Sequence, residues 1–168
     1  MHDETTPATR SWPVQLAGLL GFVLICFLAA SLGGLLTASS VRGWYQQLNK
    51  PALAPPDWVF GPVWTILYLM MAVAAWLVWR RGRWTEQRKP LVLFAIQLAL
   101  NVAWSGIFFA MQNPGLAFAE ILVLWLAILG TAISFWYRSR LAAGLLVPYL
   151  AWVTFAAFLN FEFWRLND

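Results

Sequence analysis

Residues 11–41 carry no charged side chain. A helix needs only roughly 20 apolar residues to cross the hydrocarbon core of a bilayer, so this run is more than long enough to span one. Four further apolar stretches follow, and the five predicted spans lie at about 14–37, 57–80, 90–111, 114–138 and 141–164. Lipid offers no partner to a backbone N–H or C=O, so each span must satisfy its own groups as a helix. The predicted fold class is an all-α membrane protein, a bundle of five transmembrane helices. Charged residues make up 11% of the chain, against about 25% in an ordinary soluble domain. Its twelve Trp belong to a residue type that gathers where a bilayer meets water. Arg10 ahead of the first run would also suit a cleaved signal peptide. The run is too long for such a segment and four spans follow it, so a retained helix is predicted.

The predicted organisation is a polar tail over 1–12 and a single transmembrane domain over 13–168, with no internal repeat of the kind an inverted-repeat transporter needs. Pro90 is expected in the first turn of the third span, and Asn113-Pro114-Gly115 reads as a turn with a cap and an N1 proline. Eight of the eleven Lys and Arg fall on the side of the tail, the 80–90 loop and the 138–140 turn. Arg42, Lys50 and Arg165 fall on the other. The basic side should face the cytoplasm, which puts the N-terminus in and the C-terminus out. The net charge of +4 is therefore read as flanking charge, and no nucleic-acid partner is expected. Cys26 stands alone and forms no internal disulfide. The one His, His2, lies in the tail, which leaves no His-based metal or haem-iron site in the membrane. No Ser/His/Asp or Cys/His arrangement is present for classical nucleophilic catalysis.

Function is sought in the interruptions. Residues 44–68 read W-Y-Q-Q-L-N-K-P-A-L-A-P-P-D-W-V-F-G-P-V-W-T-I-L-Y. Lys50-Pro51 and Pro55-Pro56 stiffen the loop, and Asp57 stands where an N-cap belongs. Pro62 is expected in the second turn of the span, with a bend. A 38–56 loop of this length suggests a lid or binding loop. In the third span Gln97, Asn101 and Ser105 recur every fourth residue and share a face, with Trp104 and Phe108 beside them. They suit a pocket wall or hydrogen bonds between helices equally well. Ala95, Ala99 and Ala103 form a small-residue row, and Ala29, Ala30, Gly33 and Gly34 are a rival row. Either allows close helix approach. Trp64 and Trp152 follow Pro62 and Pro148, where a bend would open space for a flat ring. Interface anchoring is the other reading of these two. Glu120 is the one carboxylate well inside the spans before Glu162, fewer than a proton-coupled transporter would be expected to carry.

The pattern W-Y-x-x-L-x-K-P-x-x-x-P-P-x-x-V-F-x-P-V-W-x-x-L-Y over 44–68 resembles the signature of the TspO / translocator protein (peripheral-type benzodiazepine receptor) family. Residues 97–109 (Q-L-A-L-N-V-A-W-S-G-I-F-F) and 148–165 (P-Y-L-A-W-V-T-F-A-A-F-L-N-F-E-F-W-R) resemble its third and fifth helices. The resemblance covers about 14–166 and implies a multi-pass protein of the bacterial cell membrane that needs no cofactor. It implies a receptor or translocator for tetrapyrroles such as protoporphyrin IX, and for sterols. Trp64 and Trp152 would line the pocket, with Tyr45, Tyr68, Asn101, Trp104, Phe108 and Ala156 completing it. Arg42 and Lys50 at the mouth could pair with propionate carboxylates, or equally with lipid headgroups. It also implies a homodimer, largely through the third span, with Ala95, Ala99 and Ala103 as the seam. The family's sterol motif has Phe161 where Tyr is needed, whereas Val41, Tyr45 and Lys50 fit its spacing in the loop. Two alternatives accompany the receptor reading. One is light- and oxygen-dependent porphyrin degradation through Trp64 and Trp152. The other is a regulatory partner protein without cargo, docking through the 80–90 loop.

Overall fold

The computed structural model describes residues 11–168, so His2, Arg10 and most of the expected tail lie outside the described residues. The described chain is helical, without a strand. Five helices are long and apolar enough to cross a membrane. They are α1 (Trp12–Val41), α3 (Phe60–Trp79), α4 (Trp84–Ser105), α5 (Pro114–Trp136) and α6 (Arg140–Asn167), with a single-turn α2 (Trp44–Gln47) between the first two. The protein is an all-α integral membrane bundle. Its principal helix contacts close a ring in the order α1, α3, α6, α5, α4 and back to α1, with α3 also touching α4 across the middle. α3 is the most enclosed: Met71, Ala72, Ala74, Ala75 and Val78 have no exposure, and its small side chains admit its neighbours closely.

Local chemistry explains the ends. Asn113 caps α5 by accepting from the Leu116 N–H at 2.9 Å, with Pro114 as the first helical residue. Ser139 caps α6 by accepting from the Ala142 N–H at 3.2 Å. Gln112, at φ 52°, is the one non-glycine residue with positive φ among the described residues and makes the reversal between α4 and α5.

Four expectations need correction. α1 continues to Val41, so 38–41 is helix and not lid. α4 begins at Trp84, six residues before Pro90, which is therefore inside the helix. A proline there strips the partner from the carbonyl four residues back. That carbonyl, of Glu86, accepts instead from Arg138 Nη2 at 3.1 Å, while Arg81 Nη1 donates to the Arg138 carbonyl at 3.0 Å. Tertiary contacts thus make good what the local sequence forbids. Asp57 caps nothing: Pro56 holds the N-cap position of a 3-10 turn, Asp57–Val59, with no side-chain bond. Pro62 consequently falls in the first turn of α3, where a missing N–H costs little. Finally, α4 does not run regularly to Met111 but widens into a π turn over Gly106–Ala110. There the Met111 N–H reaches back five residues to the Gly106 carbonyl at 2.9 Å.

Candidate functional site, a cavity beneath the first loop

The π turn matters because it resets the face that α4 presents. Regular helix brings Asn101, Trp104, Ser105 and Phe108 to one side, and the extra residue in the turn brings Phe109 there as well. All five line a cavity of about 590 Å³ in the half of the bundle away from the 80–90 loop. α1, α3 and α6 supply most of the other walls, Tyr45 of α2 and Asp57 complete them, and α5 supplies no lining residue. The released Phe109 carbonyl accepts from Ser40 Oγ at 2.6 Å, which ties the end of α1 to the turn.

All eight residues expected in the pocket lie on this cavity: Tyr45, Trp64, Tyr68, Asn101, Trp104, Phe108, Trp152 and Ala156. The polar wall is partly used up internally. Asn101 Oδ1 accepts from the Tyr68 hydroxyl at 2.5 Å, and its Nδ2 donates to the Tyr149 hydroxyl at 3.0 Å. Trp104 Nε1 donates to Asn160 Oδ1 at 2.9 Å, and Asn160 Nδ2 donates to the Pro114 carbonyl at 2.7 Å, so α4, α6 and α5 share one chain of bonds. The Asn101 network therefore acts both as cavity wall and as bonding between helices. Gln97 does not reach the cavity. It is buried a turn away, with Nε2 3.9 Å from Met71 Sδ.

The two tryptophans differ. Trp64 packs at 5.7 Å and 6.2 Å, between ring centroids, from Tyr68 and Tyr149. Trp152 packs on Phe60 at 5.9 Å and Phe155 at 5.8 Å. Its Nε1 is buried, with no hydrogen-bond partner among the described residues. A buried N–H without an acceptor is costly.

The loop over the cavity is docked on it. Tyr45 of α2 is buried, with its ring 5.7 Å from Phe109 and 5.4 Å from Phe163. Burial, followed by the Asp57 charge, pushes the Tyr45 hydroxyl up to about 12, so it stays neutral at physiological pH. Farther along the loop the Asn49 N–H donates to Asn167 Oδ1 at 2.8 Å, and Asn167 Nδ2 returns a bond to the Asn49 carbonyl at 3.1 Å. Lys50 and Arg42 do not line the cavity. Lys50 is drawn to Asp57 at 3.6 Å and lies 4.7 Å over the Tyr45 ring. Gln46 bridges this cluster, donating to Asp57 Oδ2 at 2.9 Å and accepting from Lys50 at 3.0 Å. Arg42 is exposed on the outer surface. Of the two cations expected at the mouth, Lys50 is thus engaged with two lining residues, and Arg42 follows the lining residue Val41 in the chain.

Sequence reasoning missed the wall that α1 contributes. Ala30, Gly34 and Ala38, four residues apart, line the cavity together with Gly33 and Thr37. Gly33 and Gly34 were read only as a packing row for a second helix. A Cβ on Gly33 would lie 3.3 Å from Ser105 Oγ, and one on Gly34 would enter open space. The four-residue spacing was visible, but not the side it faces. Ala95, Ala99 and Ala103 are all exposed on the outer face of α4.

The fold is thus a membrane-spanning helical bundle with an aromatic-lined cavity between its spans and a docked loop beside it. Residues 22–165 match the profile of the TspO/MBR family, and the chain belongs to that family. It is 44% identical over 154 residues to the translocator protein of Homo sapiens, covering 88% of this chain and 89% of that one. It is 44% identical over 144 residues to the tryptophan-rich protein TspO of Chlorobaculum tepidum, covering 85% and 91%. It is 40% identical over 148 residues to the tryptophan-rich sensory protein of Cereibacter sphaeroides, covering 88% and 90%.

Proposed function

We propose that this chain is an integral membrane receptor or translocator that encloses a tetrapyrrole, of the protoporphyrin IX type, in the cavity beneath α2. The observation that carries the reading is the cavity itself. It has the volume of a small-molecule site and is walled by Trp64, Tyr68, Trp104, Phe108 and Trp152. Flat aromatic faces suit a flat macrocycle, and each good stacking contact is worth about 0.5–1.5 kcal/mol beyond area burial. The sole His is His2, so affinity would come from stacking and burial and not from iron ligation. Metal-free porphyrin should bind at least as well as haem. A sterol would fill the same apolar volume but would offer no ring faces to the tryptophans.

Relatives named for translocation and for sensing support either use of the bound ligand. The basic 80–90 loop favours a cytoplasmic location for that end of the bundle, with α2 and the cavity mouth on the opposite side. The test is quenching of tryptophan fluorescence by protoporphyrin IX in detergent-solubilised protein, in the dark and then under light. Saturable dark quenching is expected, weakened about threefold to tenfold in Trp152→Leu by loss of one aromatic face from the wall. Haem binding tighter than porphyrin, with an axial-ligand spectrum, would overturn the reading. Light-driven loss of the porphyrin band that depends on Trp152 would move the assignment to a porphyrin-degrading enzyme.

A further inference from the structure

The part of the cavity wall that Phe109 supplies hangs on a residue of another helix. We propose, on the reading of the cavity as a ligand site given above, that Ser40 at the end of α1 is a positioning residue: its hydroxyl holds the π turn of α4 in the register that keeps Phe109 in the wall. A π turn leaves backbone groups to be satisfied from elsewhere, because its N–H groups reach one residue farther back than those of an α-helix. The Met111 N–H takes the Gly106 carbonyl at 2.9 Å, and the Asn113 N–H takes the Ile107 carbonyl at 3.2 Å. In an α-helix the Phe109 carbonyl would be served by Asn113, which is thus already engaged. In a π-helix it would be served by Pro114, which has no N–H. Ser40 Oγ fills the gap at 2.6 Å, from a residue only 4% exposed. Without that hydroxyl the turn would keep a carbonyl unpaired, whereas rewinding as α-helix would give it back the Asn113 N–H. Successive α-helical residues lie about 100° apart, so removing the extra residue from the turn would carry Phe109 off the cavity face.

The consequence falls on the ligand site. Between centroids, the Phe109 ring lies 4.9 Å from Phe108, 6.0 Å from Trp104 and 5.7 Å from Tyr45. It joins the α4 wall to the α2 residue docked on it. Ser40 itself does not line the cavity, so it acts through Phe109 and not by touching the ligand. The packing of α1 brings it within reach. Gly33 has no side chain, and a Cβ there would lie 3.3 Å from Ser105 Oγ, so α1 runs close against α4 where the π turn begins. Ser40 follows Gly33 by seven residues, two helical turns, and stands on the same face of α1. The next residue, Val41, lines the cavity, and its carbonyl accepts from Gln46 Nε2 at 2.9 Å, beside Tyr45. One helix end thus fixes both the turn and the start of the docked loop.

The test uses the full-length protein in detergent, with para-fluorophenylalanine introduced at position 109 and its fluorine resonance recorded without ligand. Ser40→Ala should move that resonance, because the ring leaves its three aromatic neighbours. Ser40→Thr, which keeps a hydroxyl, should return it to the wild-type position. Titrated with protoporphyrin IX, Ser40→Ala should bind about threefold to tenfold more weakly, the worth of one aromatic face, and Ser40→Thr should restore the affinity. In Phe109→Ala no ring remains to be placed, so adding Ser40→Ala should weaken binding no further. A fluorine signal unmoved by Ser40→Ala would overturn the proposal. So would a full second loss of affinity in the double variant, or a Ser40→Thr protein that behaves like Ser40→Ala. Failure of the wild type to bind porphyrin, with the signal still moved by Ser40→Ala and returned by Ser40→Thr, would reject the ligand and uphold Ser40 as the residue that shapes the wall.

Discussion

The inner cavity and a second hollow, on the outer surface between α1 and α4, have similar volumes, about 590 and 700 Å³, and α1 and α4 help to wall both. On α1, Ala30 and Gly34 face in while Ile25 and Leu32 face out. On α4, Asn101 and Ser105 face in while Ala95 and Ala99 face out. Every polar residue of the two linings is on the inner one. Water-soluble bundles put their polar side chains outside. Here the outer solvent is hydrocarbon, so polar groups gain only by facing one another or an enclosed ligand. The comparison teaches that polarity marks the enclosed site, whereas small size marks both. A row of Ala and Gly therefore does not reveal which side of a helix it serves.

Filling each hollow separately is the strongest test of that division. Gly34→Leu places a side chain in open cavity space and should weaken porphyrin binding by about a hundredfold, close to 3 kcal/mol. Ala99→Phe, in the outer hollow, should leave porphyrin binding unchanged, and a loss of that binding would show the hollows to be coupled. Next in size, Asn101→Leu strands the Tyr68 and Tyr149 hydroxyls and should cost about 1–2 kcal/mol of stability in thermal unfolding. Ala95→Leu, on the outer face, should change stability by less than about 0.5 kcal/mol.

A smaller effect concerns the docked loop. Tyr45 is raised to about 12 when closed and returns to its ordinary value near 10 when exposed to water. The protonated form is favoured in the closed state, so closure is at full strength below pH 10 and weakens as pH rises from 10 through 12. Protease access to the 48–56 segment should increase over that window and lose this pH dependence in Tyr45→Phe. The smallest effect is expected from Lys50→Gln. The Lys50–Asp57 pair is partly exposed, so its loss should change stability by under about 1 kcal/mol and leave porphyrin affinity nearly unchanged. A large loss of affinity would show that Lys50 meets the ligand directly.

Much of this molecule was legible in the sequence because the bilayer is a strict solvent. Charge-free runs longer than a membrane is thick must be helices, and that alone gave the fold class. The eight residues expected around the pocket meet at one cavity because aromatic and amide side chains inside spans need a shared interior. The errors were tertiary. Pro90 looked like a helix start, since nothing local shows that Arg138, forty-eight positions on in chain order, takes the bond that proline cannot make. Asp57 looked like a cap, but Gln46 and Lys50 hold its carboxylate instead. The π turn at Gly106–Ala110 has no period in the sequence to announce it, and it depends on Ser40 of another helix for its spare carbonyl. By itself the sequence determined the solvent, the number of spans and the residue types that must face inwards, because hydropathy acts on each segment independently. The ring order of the helices, the inward turn of the α1 glycines and the docking of Tyr45 were decided only by the tertiary structure, because each depends on which helix lies next to which.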